Sequence, residues 1–192
     1  RTHDRVGTLW EARFKSVVVE GTWQSLLRVA AYIDLNAVRA GLVDDPIDYR
    51  WCGYSESVAG DARARRGLSA ALAQTKSTAT WRDVGPRSRM ILFGIGEEKS
   101  IRAGLSREAV EKVWREGGKL SLQQLLRCRV RYFTDGLAIG SREFVERVFG
   151  AKPHLFSEQR ETGARKMGGG DWGELHGARA LRVNVIQPAG DG

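Results

Sequence analysis

A tyrosine and an amide spaced four residues apart, Tyr32 and Asn36, are the chemically most suggestive pair in this chain of 192 residues. On a helix that spacing places both side chains on one face, so a phenol could act as nucleophile beside a carbonyl able to bind a metal. The plainer reading is a surface or interdomain tyrosine. Other catalytic signatures are missing. His3, His154 and His176 are scattered, with no His-x-His, His-Glu-x-x-His or phosphate-binding loop. Gly94-Ile95-Gly96 and Gly168-Gly169-Gly170 precede no capped helix and read as turns.

The element that must position the pair is a helix over residues 23–40. Trp23, Leu26, Leu27, Ala30, Ile33, Ala37 and Val38 recur at helical spacing, and Gly41 supplies the stop. On the wheel, Ser25, Tyr32, Asn36 and Arg39 fall opposite this apolar set, which predicts an exposed tyrosine face. Before it, the β-branched run in residues 14–20 reads as a strand. After it, residues 43–54 read as an aromatic-rich loop.

Residues 55–80 lose aromatics and fill with Ala, Arg, Ser and Gly, which reads as a linker with a short helical stretch near 68–74. Residues 87–95 form a short apolar segment of open type. Three capped helices are then predicted. Ser106 opens 107–116, which Gly117 ends. Ser121 and Gln124 form a capping box for 122–133, and Ser141 caps a helix to Phe149. The second and third loosely suggest a helix-turn-helix across 134–140, although that connection is long. The glycine-rich stretch 162–173 reads as irregular, and 182–187 as a late strand.

The net charge is +8, and residues 67–140 carry +6 of it. Such an excess favours a polyanionic partner, although 24 of the 31 cations are arginine and a compositional bias would give the same number. Arg127 and Arg131 lie one turn apart on the polar side of the predicted 122–133 helix, placed to meet phosphates, whereas Arg129 falls on its apolar side and suits an ion pair. Trp51, Tyr54, Trp81 and Trp172 could stack on single-stranded bases or pack on their own domain. Two cysteines without a Cys-x-x-Cys pair exclude a disulfide framework and a thiolate zinc site, and fit a reducing cytoplasm. No apolar run reaches the length of a membrane span.

Residues 7–16 (GTLWEARFKS), 32–41 (YIDLNAVRAG) and 49–54 (YRWCGY) together resemble the REP-associated tyrosine transposases of the single-tyrosine HUH superfamily. The later stretches around 125–149 and 163–175 are similar to the C-terminal extension of some bacterial members. The resemblance implies an α+β fold with three parts. Residues 1–57 would be a remnant strand and tyrosine helix of the catalytic domain, 58–85 a linker and 86–192 a mainly helical extension.

It further implies cleavage and rejoining of single-stranded or hairpin DNA, in a bacterial cytoplasm, with Tyr32 forming a 5′-phosphotyrosine. Asn36 would be a ligand of Mg²⁺ or Mn²⁺, Arg39 would join Arg127 and Arg131 as DNA contacts, and a homodimer is compatible. The chain departs from the family pattern at Ala37, Cys52 and Gly53. The family's His-hydrophobic-His motif would lie upstream of Arg1, and His3 matches neither histidine. The chain as given is therefore expected to bind no metal and to be inactive. A non-catalytic DNA-binding remnant and a helical adaptor are the competing readings.

Overall fold

The computed structural model describes residues 16–72, 80–93, 111–113, 115, 120–156, 159–178 and 186–187. The fold is mixed α and β, and its sheet draws on both ends of the chain. Strand β1 (Val18–Val19) runs parallel to β3 (Ala138–Gly140), with Val18 opposite Ala138 and Val19 opposite Ile139. Beyond β3 lie β5 (His176–Gly177) and β4 (Arg165–Lys166), both antiparallel, in the order β1-β3-β5-β4. A second ribbon pairs β2 (Arg129–Val130) with β6 (Ile186–Gln187). The expected early and late strands are present, and the part of each that falls on residues 14–15 and 182–185 lies outside the described residues.

Glu20 fastens the two ends together. Its carboxylate accepts from the Ser141 backbone N–H (2.6 Å) and from the Ser141 hydroxyl (2.9 Å), while that hydroxyl caps the next helix by accepting from the Phe144 N–H. Gly140 is required at this point, because a Cβ there would lie 2.5 Å from the Glu20 Cβ. Glu20→Gln keeps the size but loses one anionic acceptor at a helix N-terminus. It is expected to cost about 1–2 kcal/mol, read as a lower urea midpoint at unchanged slope.

The helical core begins with α1 (Trp23–Asp34), which breaks at Leu35 before α2 (Asn36–Arg39). Gly41 then adopts a left-handed φ of 67°, with its N–H and that of Leu42 closing on Val38 and Ala37. This is the predicted glycine stop. A 3₁₀ turn (Pro46–Asp48) leads into α3 (Gly53–Ala59).

Within the stretch read as a linker, the short helical stretch expected near 68–74 is the end of a longer helix, α4 (Ala62–Leu72), and α5 (Trp81–Phe93) follows residues 73–79, which lie outside the described ones. Asp61 caps α4 by accepting from the Ala64 N–H, and Asp83 accepts from the Thr80 N–H and hydroxyl at the start of α5. Among the described side chains of α4, Leu68 alone joins the cluster formed with Leu27, Val84, Trp23, Trp81 and Ile91, so this part of the helix offers little hydrophobic periodicity to read.

The capping box of Ser121 and Gln124 opens α6, with both reciprocal bonds made, but α6 ends at Leu126 (Leu122–Leu126). The expected 122–133 helix is thus interrupted by β2 before α7 (Arg131–Asp135). The third predicted helix is α8 (Arg142–Ala151), two residues longer than expected. Between α7 and α8 lies buried β3, a sheet strand rather than the turn of a helix-turn-helix. The predicted 107–116 helix is helical at 111–113 and 115, and its remaining residues lie outside the described ones. The glycine-rich stretch contains β4 and packs on the core through Trp172, which is 1% exposed. No described helix is long and apolar enough to cross a membrane.

Candidate functional site

Helix α1 turns Tyr32 inward. The ring is 7% exposed, and Ser25 is buried with it, whereas Ile33 from the expected apolar face is 56% exposed. The predicted exposed tyrosine face is therefore wrong, and the reason is physical: α1 is covered on two sides. Leu27 faces α4 and α5, while Ala31, Tyr32 and Leu35 share a cluster with Leu125, Leu126, Val130 and Trp172 from the C-terminal half. A helical wheel drawn for a single core cannot show the second.

The Tyr32 hydroxyl accepts the Val130 backbone N–H (3.2 Å). One face of the ring meets Phe133, with centroids 4.5 Å apart, and the Arg39 guanidinium carbon stands 3.7 Å from the ring centroid. Arg39 donates to the Leu126 carbonyl (2.6 Å), to the Tyr32 carbonyl (2.6 Å) and to Asn36 Oδ1. Burial lowers the Arg39 pKa, with the nearby Tyr32 and Cys128 opposing that fall. Burial likewise pushes the Cys128 thiol up to about 11.

These bonds explain why α6 stops. In a continued helix the Val130 N–H would donate to the Leu126 carbonyl, four residues earlier. Here Tyr32 takes the donor and Arg39 occupies the acceptor, so the chain leaves the helix and forms β2. The tyrosine helix thus shapes a segment about a hundred residues away.

Tyr32, Asn36 and Arg39 are brought together as expected, but in different roles. Arg39 is a half-buried clamp whose guanidinium is engaged by two backbone carbonyls and Asn36. Asn36 is exposed, yet its side-chain oxygen faces a guanidinium, and this arrangement does not fit a divalent cation, which the same positive charge would repel. Among the described residues no group of three or more His, Cys, Asp or Glu could hold a metal. His3 lies outside the described residues.

Arg127 is wholly buried, not on a polar face. It donates to the Gln123 carbonyl (3.1 Å), and burial draws its pKa down to about 10, with Asp45 opposing. Arg131 begins α7 and is half-buried, and because the helix is broken it no longer lies one turn beyond Arg127. Of the four aromatics considered for stacking, Tyr54 and Trp172 are core residues and Trp81 is half-buried. Trp51 is 67% exposed, with the Arg50 guanidinium 4.1 Å from its ring.

Sequence reasoning passed over Asp34, although a carboxylate between Ile33 and Leu35 is a visible signal. It is 6% exposed and accepts from the Tyr54 N–H at the start of α3 (3.3 Å). Burial raises its pKa to about 6, against the lowering effect of the Tyr54 and Gly53 amides. The folded chain therefore holds this proton more tightly than the unfolded chain. The associated stability is fully present below the ordinary carboxylate value and is lost as pH rises through about 6. Asp34→Asn keeps an acceptor and removes the buried charge. It is expected to gain on the order of 1–3 kcal/mol at pH 7.5 and to flatten the stability profile between pH 4 and 6, followed by urea unfolding.

Comparison with family models, with characterised proteins and with solved structures finds no match for this chain.

Proposed function

We propose that the chain is a transposase-like DNA-binding protein that does not cleave DNA in the form described, with Tyr32 locking the tyrosine helix to the C-terminal half. The resemblance over 7–16, 32–41 and 49–54 supplies the DNA-processing class. The observation that carries the non-cleaving part is the Tyr32 hydroxyl, bonded by the Val130 amide in a buried site. A phenol attacks phosphorus only when its oxygen can reach the phosphate in line, with a base or cation at hand. Here that oxygen is enclosed, and the cation beside it, Arg39, is spent on backbone carbonyls.

A polyanionic partner is supported by Arg63 and Arg66 on α4 and by Arg82 and Arg87 on α5, all exposed. Trp51, with Arg50 beside it, offers a stacking face. The test is a hairpin oligonucleotide titrated at several salt concentrations, then incubated with Mg²⁺ or Mn²⁺ and run on a denaturing gel. The expected result is salt-dependent binding and no covalent adduct. Replacing Arg63 and Arg66 by Gln should make the log–log salt slope shallower by about one to two. A covalent adduct, or no salt-dependent binding, contradicts the proposal.

A further inference from the structure

A cavity between helices α1, α4 and α5 is lined by six aliphatic residues and two polar ones, Asp34 and Ser88. Ala30, Leu68 and Ile91 are half-buried and mark its mouth, while Asp34 and Ser88 are each 6% exposed. With its open mouth the cavity measures about 230 Å³, and its enclosed part admits one group the size of a water molecule.

Asp34 Oδ1 accepts the Tyr54 N–H (3.3 Å), and the Gly53 amide also favours the ionised carboxylate. Both donors are neutral. Among the described residues no cation pairs with Asp34. With its pKa at about 6 the group is ionised at pH 7.5, so a buried negative charge borders the cavity with no counter-ion from the described residues. Ser88 Oγ donates to the Val84 carbonyl (3.1 Å), which leaves its lone pairs to accept.

This lining selects among cations. One carboxylate and one hydroxyl fall well short of the six to eight oxygens that a divalent ion requires, and six aliphatic residues supply none. A planar guanidinium is too broad for a space of one water molecule. An ammonium group has that size, carries the complementary charge and donates up to three hydrogen bonds. The aliphatic mouth suits a short hydrocarbon stem.

We propose that this cavity binds the head of a small primary alkylammonium, with Asp34 as its counter-ion, Ser88 as a second acceptor and the stem lying over Ala30, Leu68 and Ile91. The site is separate from the exposed arginines of α4 and α5, and it does not depend on the DNA-binding reading.

The test unfolds the full chain thermally at pH 7.5 in ethylammonium, tetramethylammonium, potassium and sodium chlorides at matched ionic strength. The expected result is a saturable rise in Tm with ethylammonium alone, about 3–5 °C at ten times the midpoint concentration, as a ligand of the native state gives. Tetramethylammonium has no N–H to donate and is too large. Asp34→Asn should abolish the response while melting no lower than wild type in sodium chloride. Should Asp34→Asn fail to fold, Ser88→Ala provides the test by raising the ethylammonium midpoint about five- to tenfold, the loss of one hydrogen bond. The proposal is overturned if ethylammonium acts no differently from sodium, if potassium or tetramethylammonium gives the same rise, or if either variant keeps the wild-type response.

Discussion

Arg39→Met lowers folding stability by about 3 kcal/mol, because one side chain closes the junction between the tyrosine helix and the C-terminal half. Arg39 donates to three acceptors on two segments and stacks on the Tyr32 ring. Leu126 has no exposure, and its carbonyl loses a charged donor. Hydrogen bonds from a charged donor contribute about 1.5–3 kcal/mol each, and the relief of burying a cation offsets part of the sum. Arg39→Lys should recover less than half of the loss, since an ammonium cannot span two carbonyls with the planar fork of a guanidinium. Urea unfolding of both variants checks this, and wild-type stability in Arg39→Met would show that the clamp is unimportant.

Trp172→Ala is expected to cost about 3–5 kcal/mol, the usual range for removing a buried indole. Trp172 is 1% exposed, donates from Nε1 to the Gly168 carbonyl (3.1 Å), and meets Phe133 edge-on with centroids 5.7 Å apart. Phe133 in turn lies on Tyr32, so the cavity opens toward the tyrosine. Two observables should therefore change together: a lower Tm and faster chemical modification of Tyr32. A lower Tm with Tyr32 still protected would show that the glycine-rich stretch supports the fold without covering the tyrosine.

What was legible in the sequence was local. The Ser121 and Gln124 capping box, the Ser141 cap and the Gly41 stop each depend on residues within four positions of one another, and each forms as read. The end of α6 was not legible, because its causes are Arg39 and Tyr32, 87 residues from Leu126 and 98 from Val130. α4 (Ala62–Leu72) is legible only at its end, within the short helical stretch near 68–74, for a different reason. Its half-buried residues Ala64, Arg65, Leu68, Ser69 and Ala71 include a single large apolar side chain, although Asp61 and the Thr80-x-x-Asp83 pattern were start signals for α4 and α5. At the site, the grouping of Tyr32, Asn36 and Arg39 followed from helical spacing, while their burial required knowing what packs over them. Arg127 sits within the apolar run LLRC, and that context was the signal that it faces inward.

The enclosure of Tyr32 is the central claim, and nitration of the native chain with tetranitromethane, mapped by peptide mass spectrometry, tests it most directly. Tyr49 and Tyr132 are half-buried and serve as internal references, whereas Tyr32 and Tyr54 are 7% and 3% exposed. Tyr49 and Tyr132 are expected to be nitrated with Tyr32 and Tyr54 spared, and all four to be modified once the chain is unfolded in urea. Nitration of native Tyr32 at the rate of Tyr49 would contradict the enclosure.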